Sequence, residues 1–179
     1  LQSSLQVHVL AVEYPGYGLC EHGACTAARV NRHAAAALAF SQRVLGMPLE
    51  RILLFGDCVG VGPAIDLASK AEVAGLVLVA PFLSARKLFR DHVGFVARVV
   101  TDTFPNEALA QHIRSPTLIF HGTDDKMTPV AHAIELERLL TCKSRLVIPQ
   151  DVGHQVKLTD QGQFLGPLRE FFGLPGDAA

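Results

Sequence analysis

The chain has 179 residues, 49% hydrophobic and 18% charged, a length and composition that predict one globular domain with a substantial core. The 16 basic and 17 acidic residues give a formal net charge of −1 and are scattered, which excludes the basic stripe of a nucleic-acid-binding surface. The longest apolar run, near residues 73–82, is about ten residues long, well short of the roughly 18 that a membrane-spanning helix requires.

Apolar segments of strand length alternate with segments of helical periodicity along the chain. Strands are predicted at residues 7–14, 51–55, 75–79, 117–120 and 145–148, and helices at 26–44, 58–70, 130–140 and 163–172. This alternation predicts an α/β fold, with a mostly parallel sheet covered by helices on both faces. We expect the strand at 7–14 to lie inside the sheet, because its apolar run is typical of a strand buried on both faces.

One longer segment, residues 81–114, interrupts the alternation. It contains Gly94, Pro105 and a mixture of Phe, Arg and Asp residues. A segment of this size between two strands is often a lid over an active site, and the alternative is ordinary helical packing. We therefore treat residues 1–179 as a single domain with a possible lid insertion at 81–114.

Four cysteines occur in the chain, and their spacing fits neither a disulfide framework nor paired zinc-binding knuckles. Cys20, His22 and Cys25 would form one corner of a metal site, but no second paired cluster completes a tetrahedral set. We expect no metal and no cofactor. Free cysteines also favour a reducing, intracellular and cytoplasmic location.

Residues 51–60, Arg-Ile-Leu-Leu-Phe-Gly-Asp-Cys-Val-Gly, predict a buried strand, a tight turn and the start of a helix. The turn has the form Gly-x-nucleophile-x-Gly of a nucleophile elbow, with Cys58 where serine is usual. Gly56 and Gly60 allow the strand and the helix to pass closely. The amide of Val59, at the positive end of the helix, is the expected oxyanion donor. The alternative interpretation of Cys58 is a packed free thiol.

An elbow of this kind requires an acid and then a histidine, each after a later strand. Asp124 and Asp125 follow the strand at 117–120, and either carboxylate could orient an imidazole. His154 follows the last strand in a loop, whereas His132 falls in a helical pattern. The histidines at 8, 22, 33, 92, 112 and 121 are interpreted as mostly surface or structural.

Several motifs along the chain together resemble a known family. They are Glu-Tyr-Pro-Gly-Tyr-Gly at 13–18, Gly-Asp-Cys-Val-Gly-Val-Gly-Pro-Ala at 56–64, the segment 113–125 that ends His-Gly-Thr-Asp-Asp, and Gly-His at 153–154. The chain resembles an α/β-hydrolase of the serine aminopeptidase S33-like group, close to depalmitoylase-type and Bem46-like members. The resemblance implies the α/β-hydrolase fold and a triad of Cys58, His154 and Asp125, since the family's acid lies four residues before Pro129.

The chain departs from the family at the elbow, where serine is usual and a cysteine is found in the related dienelactone hydrolases. A Cys58 thiol would favour thioesters, because attack on a thioester exchanges one thioester for another, whereas attack on an oxyester forms a higher-energy acyl-enzyme. Asp57 would make the thiol less reactive, because a carboxylate that faces the site raises the pKa of the thiol.

A second departure is at the beginning of the chain. Family members carry earlier strands and a His-Gly-type loop that supplies another oxyanion amide, so the resemblance implies a fragment without the N-terminal strands. The leading hypothesis is an esterase or thioesterase acting on a small-molecule or lipidated acyl substrate. The alternative is a catalytically inactive α/β-hydrolase-fold protein that binds or scaffolds a partner. Missing N-terminal sequence could also make the protein membrane-peripheral.

Overall fold

Four parallel strands form the centre of the molecule in the computed structural model, which describes residues 1–20, 23–99 and 101–175. They are β1 (Leu53–Asp57), β2 (Gly75–Val79), β3 (Thr117–Phe120) and β4 (Ser144–Val147), and they lie side by side in that order. In register, Gly56 is opposite Leu78 and Phe120 is opposite Val147. The predicted α/β class with a parallel sheet is confirmed.

Seven α-helices connect or flank these strands in the described ranges. They are α1 (Gln2–Leu5), α2 (Ala27–Arg43), α3 (Val61–Ala68), α4 (Ala85–Val93), α5 (Asn106–Ala110), α6 (Ala131–Leu139) and α7 (Gly166–Phe172). Thr26 caps α2 by accepting a hydrogen bond from the amide of Arg29, as expected for a hydroxyl at that position. Of the helices in the described part of the chain, none combines the length and apolar character needed to cross a membrane.

The core lies on both faces of the sheet, because successive side chains of a strand point in opposite directions. Leu76 and Leu78 of β2 pack on one face with residues of α3 and α6, such as Ile65 and Leu136. Val77 and Val79 pack on the other face with the C-terminal helix. Each fully buried side chain of this size contributes about 1.5–3 kcal/mol of hydrophobic stabilisation. The helices therefore cover both faces, as predicted.

The prediction of a strand at residues 7–14 is wrong. This segment has no regular secondary structure and residues 8–13 are exposed, with Val9 at 55% and Leu10 at 52%. A strand exists only through hydrogen bonds to a neighbouring strand, and no described strand pairs with this segment. The apolar run correctly indicated a strand-like composition, but it carries no information about whether a partner is present.

The segment 81–114 is helical in part and is anchored at both ends. Phe82 and Ile113 belong to the core, and the ring of Phe104 lies so close to Gly62 that a Cβ there would be 2.2 Å from it. The middle of the segment, by contrast, exposes large apolar side chains: Phe89, Val93, Phe95, Val96 and Val99. Its role as a lid stays a prediction.

Candidate active site

Cys58 occupies a strained turn directly after β1. Its φ angle is +49°, a conformation that side-chain-bearing residues rarely adopt. Such a residue costs on the order of 1–3 kcal/mol, and the cost is tolerated where the surrounding structure fixes the turn. A short 3-10 turn, Cys58–Gly60, leads into α3. The strand–turn–helix geometry predicted for the elbow is therefore present, and it places Cys58 at the carboxyl edge of the sheet.

Gly56 allows β1 and α3 to approach each other closely. A Cβ at this position would lie 2.6 Å from the carbonyl oxygen of Gly60 and 2.8 Å from Cα of Val61, both backbone atoms that cannot move aside. At Gly60 the nearest atom to an added Cβ is the Tyr14 hydroxyl oxygen, 3.9 Å away. The close approach therefore depends on Gly56, and the predicted steric need for glycine at Gly60 is not observed.

Asp125 and His154 lie together, although they belong to loops that follow different strands. Oδ2 of Asp125 is 2.8 Å from Nδ1 of His154. Oδ1 accepts hydrogen bonds of 2.8 Å from the amides of Met127 and Thr128. The Asp125 side chain has no exposed surface, while 20% of the His154 side chain is exposed. Three hydrogen bonds thus fix the carboxylate, which orients a partly exposed imidazole.

Asp124, the alternative acid, has a different environment. It is exposed, and its carboxylate accepts a hydrogen bond of 3.2 Å from the hydroxyl of the neighbouring Thr123. Its contribution to the loop is made by the backbone, since its amide donates to the carbonyl oxygen of Val152. Of the two candidate carboxylates, the structure brings that of Asp125 to His154.

The acid loop and the histidine loop are in direct backbone contact. A Cβ at Gly122 would lie 2.0 Å from the carbonyl oxygen of Val152, so only glycine fits there. The amide of Asp151 also donates to the Thr123 hydroxyl at 3.0 Å. These contacts hold the two loops at a fixed separation, which in turn fixes the distance between Asp125 and His154.

His121 is a third residue of this cluster, and the sequence interpretation missed it. Its side chain is fully buried, and Nε2 lies 2.7 Å from the carbonyl oxygen of Thr128 and 3.3 Å from Oδ2 of Asp125. Because a carbonyl oxygen only accepts, Nε2 carries the hydrogen, and Nδ1 is buried without a hydrogen-bond partner in the described structure. Burial lowers the pKa of His121, which keeps the ring neutral.

The signal for His121 in the sequence is weak. The residue directly follows β3 and precedes Asp125 by four positions, so it starts the same loop. That placement suggests proximity to the acid, but burial under the loop depends on how residues 121–128 fold back on themselves. His132, by contrast, lies in α6 as predicted: Nδ1 accepts from the amide of Leu83, and Nε2 bonds Asp91 at 2.6 Å.

Cys58 and His154 line the same cavity, which has a volume of about 360 Å³. Burial raises the pKa of the Cys58 thiol, a hydrogen bond from the Val59 amide lowers it, and the carboxylates of Asp57 and Asp125 raise it. The Val59 amide is therefore directed at the Cys58 sulphur. The other lining residues are Asp57, Gln155, Val156 and Leu158.

Of the three residues considered as metal ligands, Cys20 and Cys25 lie in the described part of the chain. Cys20 is half-buried and Cys25 is exposed, and both are free thiols. His22 lies outside the described residues. Within the described ranges, no group of three or more His, Cys, Asp or Glu side chains is arranged to hold a metal ion.

Comparison with known proteins shows related sequences. The chain is 31% identical over 178 residues to the α/β-hydrolase domain-containing protein aho-3 of Caenorhabditis elegans, covering 97% of this chain and 51% of that protein. It is 29% identical over 175 residues to the human α/β-hydrolase domain-containing protein 17B, covering 96% of this chain and 58% of that protein. The chain thus spans about half the length of the curated relatives it matches. No family model matches the chain.

Solved structures share the fold. An α/β-hydrolase enzyme from the metagenome of Mar Chica lagoon sediments superposes with a TM-score of 0.65 at 20% identity, covering 90% of this chain and 75% of that one. The putative non-heme bromoperoxidase BpoC of Mycobacterium tuberculosis superposes with a TM-score of 0.68 at 17% identity, covering 90% and 79% of the two chains. The solved structures show that the chain has the α/β-hydrolase fold, and the related sequences are named as α/β-hydrolase domain-containing proteins.

Proposed function

We propose that the protein is an acyl hydrolase with a Cys58–His154–Asp125 triad and that it prefers thioesters. The observation that carries this proposal is the contact between Asp125 and His154 at a cavity that is also lined by a cysteine in a strained elbow. His154 faces the cavity that holds Cys58, so one imidazole nitrogen is oriented by Asp125 and the other is available for proton transfer.

Acylation begins when Nε2 of His154 takes the proton of Cys58 and the sulphur attacks the acyl carbonyl carbon. The oxyanion of the tetrahedral intermediate accepts a hydrogen bond from the Val59 amide. The bond between the carbonyl carbon and the leaving sulphur or oxygen then breaks, and His154 returns its proton to the leaving group. The products of this half-reaction are a Cys58 thioester and the free thiol or alcohol.

Deacylation uses the same groups with water as the nucleophile. His154 takes a proton from water while the water oxygen attacks the acyl carbon of the Cys58 thioester. The bond from that carbon to the Cys58 sulphur breaks, and the sulphur regains a proton from His154. One carboxylic acid is released, so the net reaction adds one water across the original ester or thioester bond.

The substrate class follows from the nucleophile and from the cavity wall. A thioester substrate exchanges one thioester for another in the first step, whereas an oxyester must form a higher-energy acyl-enzyme. Val156 and Leu158 supply an apolar wall for an acyl chain. The resemblance to serine aminopeptidase S33-like and depalmitoylase-type hydrolases adds lipidated carriers to the small-molecule acyl substrates. A reducing cytoplasm suits the mechanism, because Cys58 must stay a free thiol.

A second candidate function is a binding or scaffold role without catalysis. It is favoured by the raised pKa of Cys58, since burial and two carboxylates oppose formation of the thiolate. Both functions predict ligand binding in the same cavity, but only the first predicts turnover.

The two functions are separated by measuring hydrolysis of a medium-chain acyl thioester and of the matching p-nitrophenyl ester. The wild-type protein should release free thiol with a larger kcat/KM than for the ester, and Cys58→Ala should release none. Cys58→Ser should keep esterase activity if the cavity also accepts a hydroxyl nucleophile. Equal activity of the wild type and Cys58→Ala would contradict the mechanism, and binding without turnover in the wild type would favour the scaffold role.

A further inference from the structure

Asp57 is a solvent-exposed carboxylate at the candidate site. It directly precedes Cys58 and lines the cavity together with Cys58 and His154. It is the residue before the 3-10 turn of the elbow, yet its side chain does not cap that turn. In the described ranges it forms no ion pair with a lysine, an arginine or a histidine. Its carboxylate is therefore solvated and accessible to a cation that enters the cavity.

This negative charge disfavours formation of the Cys58 thiolate. The Asp57 carboxylate raises the pKa of Cys58, and so does that of Asp125. Asp125 is needed to orient His154, but Asp57 has no such contact. The carboxyl of Asp57 itself has a raised pKa because the site partly shields it from water, an effect that His154 opposes. A positive charge bound next to Asp57 would stabilise both the carboxylate and the Cys58 thiolate.

We propose that Asp57 binds a positively charged group on the substrate, so that the cavity selects acyl groups on cationic carriers and the bound cation favours the Cys58 thiolate. This proposal rests on the proposed acyl-transfer function. The cation is an ammonium or guanidinium group of the substrate rather than a metal ion, because the described residues offer Asp57 no additional ligands. Asp57 is thus a specificity-determining residue, and substrate binding itself favours the reactive form of the nucleophile.

The first test uses three octanoyl thioesters of cysteine peptides that differ only in the residue next to the acylated cysteine: lysine, glutamine or glutamate. For the wild type, kcat/KM should fall in that order, with roughly a 5-fold difference between lysine and glutamine, as expected for a charge pair that keeps some solvent contact. In Asp57→Asn the three values should converge. The matched control is Asp124→Asn, which removes an exposed carboxylate of the acid loop and should keep the wild-type order.

A second test measures the effect of the Asp57 charge on Cys58 reactivity and does not require turnover. Cys58 is modified with methanethiosulfonate reagents that carry a trimethylammonium group, no charge or a sulfonate, and peptide mass spectrometry separates Cys58 from the other cysteines. Relative to a free thiol, the wild type should react faster with the cationic reagent than with the anionic one. Asp57→Asn and Asp57→Ser should both lose this preference while keeping the wild-type circular dichroism spectrum.

The outcomes distinguish this proposal from the proposed function. Thioester hydrolysis without a charge preference, together with equal reagent ratios in the wild type and Asp57→Asn, would overturn the role of Asp57 and leave the hydrolase intact. If the wild type hydrolyses none of the peptides, the proposed function fails. The reagent ratios then still decide whether Asp57 attracts cations to Cys58.

Discussion

Oδ2 of Asp125 lies 2.8 Å from Nδ1 of His154, although the two residues are 29 positions apart in sequence. Each residue lies in the loop after one of two adjacent parallel strands, β3 and β4. The carboxyl ends of parallel strands meet at one edge of the sheet, and backbone contacts between the loops complete the approach. This contact gives the imidazole one defined tautomer, with the hydrogen on Nδ1 donated to the carboxylate.

Substitution of the two neighbouring aspartates should have unequal effects. Asp125→Asn removes the charge that stabilises the imidazolium of His154 and should lower kcat/KM by about 10²-fold or more, less than for a serine triad because a thiol needs a weaker base. Asp124→Asn changes an exposed side chain and should stay within about 2-fold of the wild type. Steady-state kinetics on one thioester measures both, and a larger loss in Asp124→Asn would show that the acid is misassigned.

His121 should act as a positioning residue for Asp125. His121→Leu removes the donor to the Thr128 carbonyl and the ring nitrogen next to Oδ2 of Asp125, and it should lower kcat about 10-fold with little change in KM, since a buried acceptor loses its partner. His121→Gln keeps an N–H donor of similar reach and should recover most of the rate. Equal losses in the two variants would indicate that the position serves packing alone.

Burial of a neutral His121 also predicts how stability changes with pH. Its pKa is lowered in the folded state, so between the folded value and the ordinary value of about 6.5 the unfolded chain binds more protons. The free energy of unfolding should therefore fall as the pH is lowered through this range. Urea titrations at pH 7 and pH 5 should show a smaller loss for His121→Gln than for the wild type. An equal loss would mean that folding does not lower the pKa of His121.

The sequence was sufficient for the parts of the site that follow plain apolar strands. Cys58 comes directly after such a run, Asp125 and His154 lie in the loops that follow two others, and the topology of parallel strands brings these segments to one edge. Residues 7–14 could not be predicted in the same way, because a strand needs a neighbour and the run does not show whether one exists. His121 could not be distinguished from a structural histidine, because its surroundings are set by the folded loop and not by spacing alone.

Removal of the Asp57 charge should make Cys58 more reactive toward a neutral reagent. The Asp57 carboxylate raises the pKa of Cys58, so Asp57→Asn should lower that pKa and increase the thiolate fraction at any pH below it. The rate of Cys58 alkylation by iodoacetamide, followed from pH 6 to 10, should reach its midpoint at a lower pH in Asp57→Asn. An unchanged or higher midpoint would show that the carboxylate points away from the sulphur.

Gly122 should be essential for the contact between the loops that carry Asp125 and His154. A Cβ at this position would lie 2.0 Å from the carbonyl oxygen of Val152, so Gly122→Ala must push the loops apart and should cost about 1–3 kcal/mol of stability along with activity. Gly153→Ala is the matched control in the facing loop, because its nearest atom would be 3.9 Å away. Thermal unfolding and thioester kinetics should both separate the two variants; similar values would mean that the loops can yield.

The most direct test of the central claim is detection of the acyl-enzyme. The protein is mixed with a slight excess of octanoyl thioester and quenched in acid within milliseconds to seconds, and its intact mass and peptides are then measured. We expect one octanoyl group, carried by the peptide that contains Cys58, to appear and decay in the wild type and to be absent in Cys58→Ala. His154→Ala should form and release it slowly. Turnover without any acylated Cys58, or equal acylation in Cys58→Ala, would contradict the mechanism.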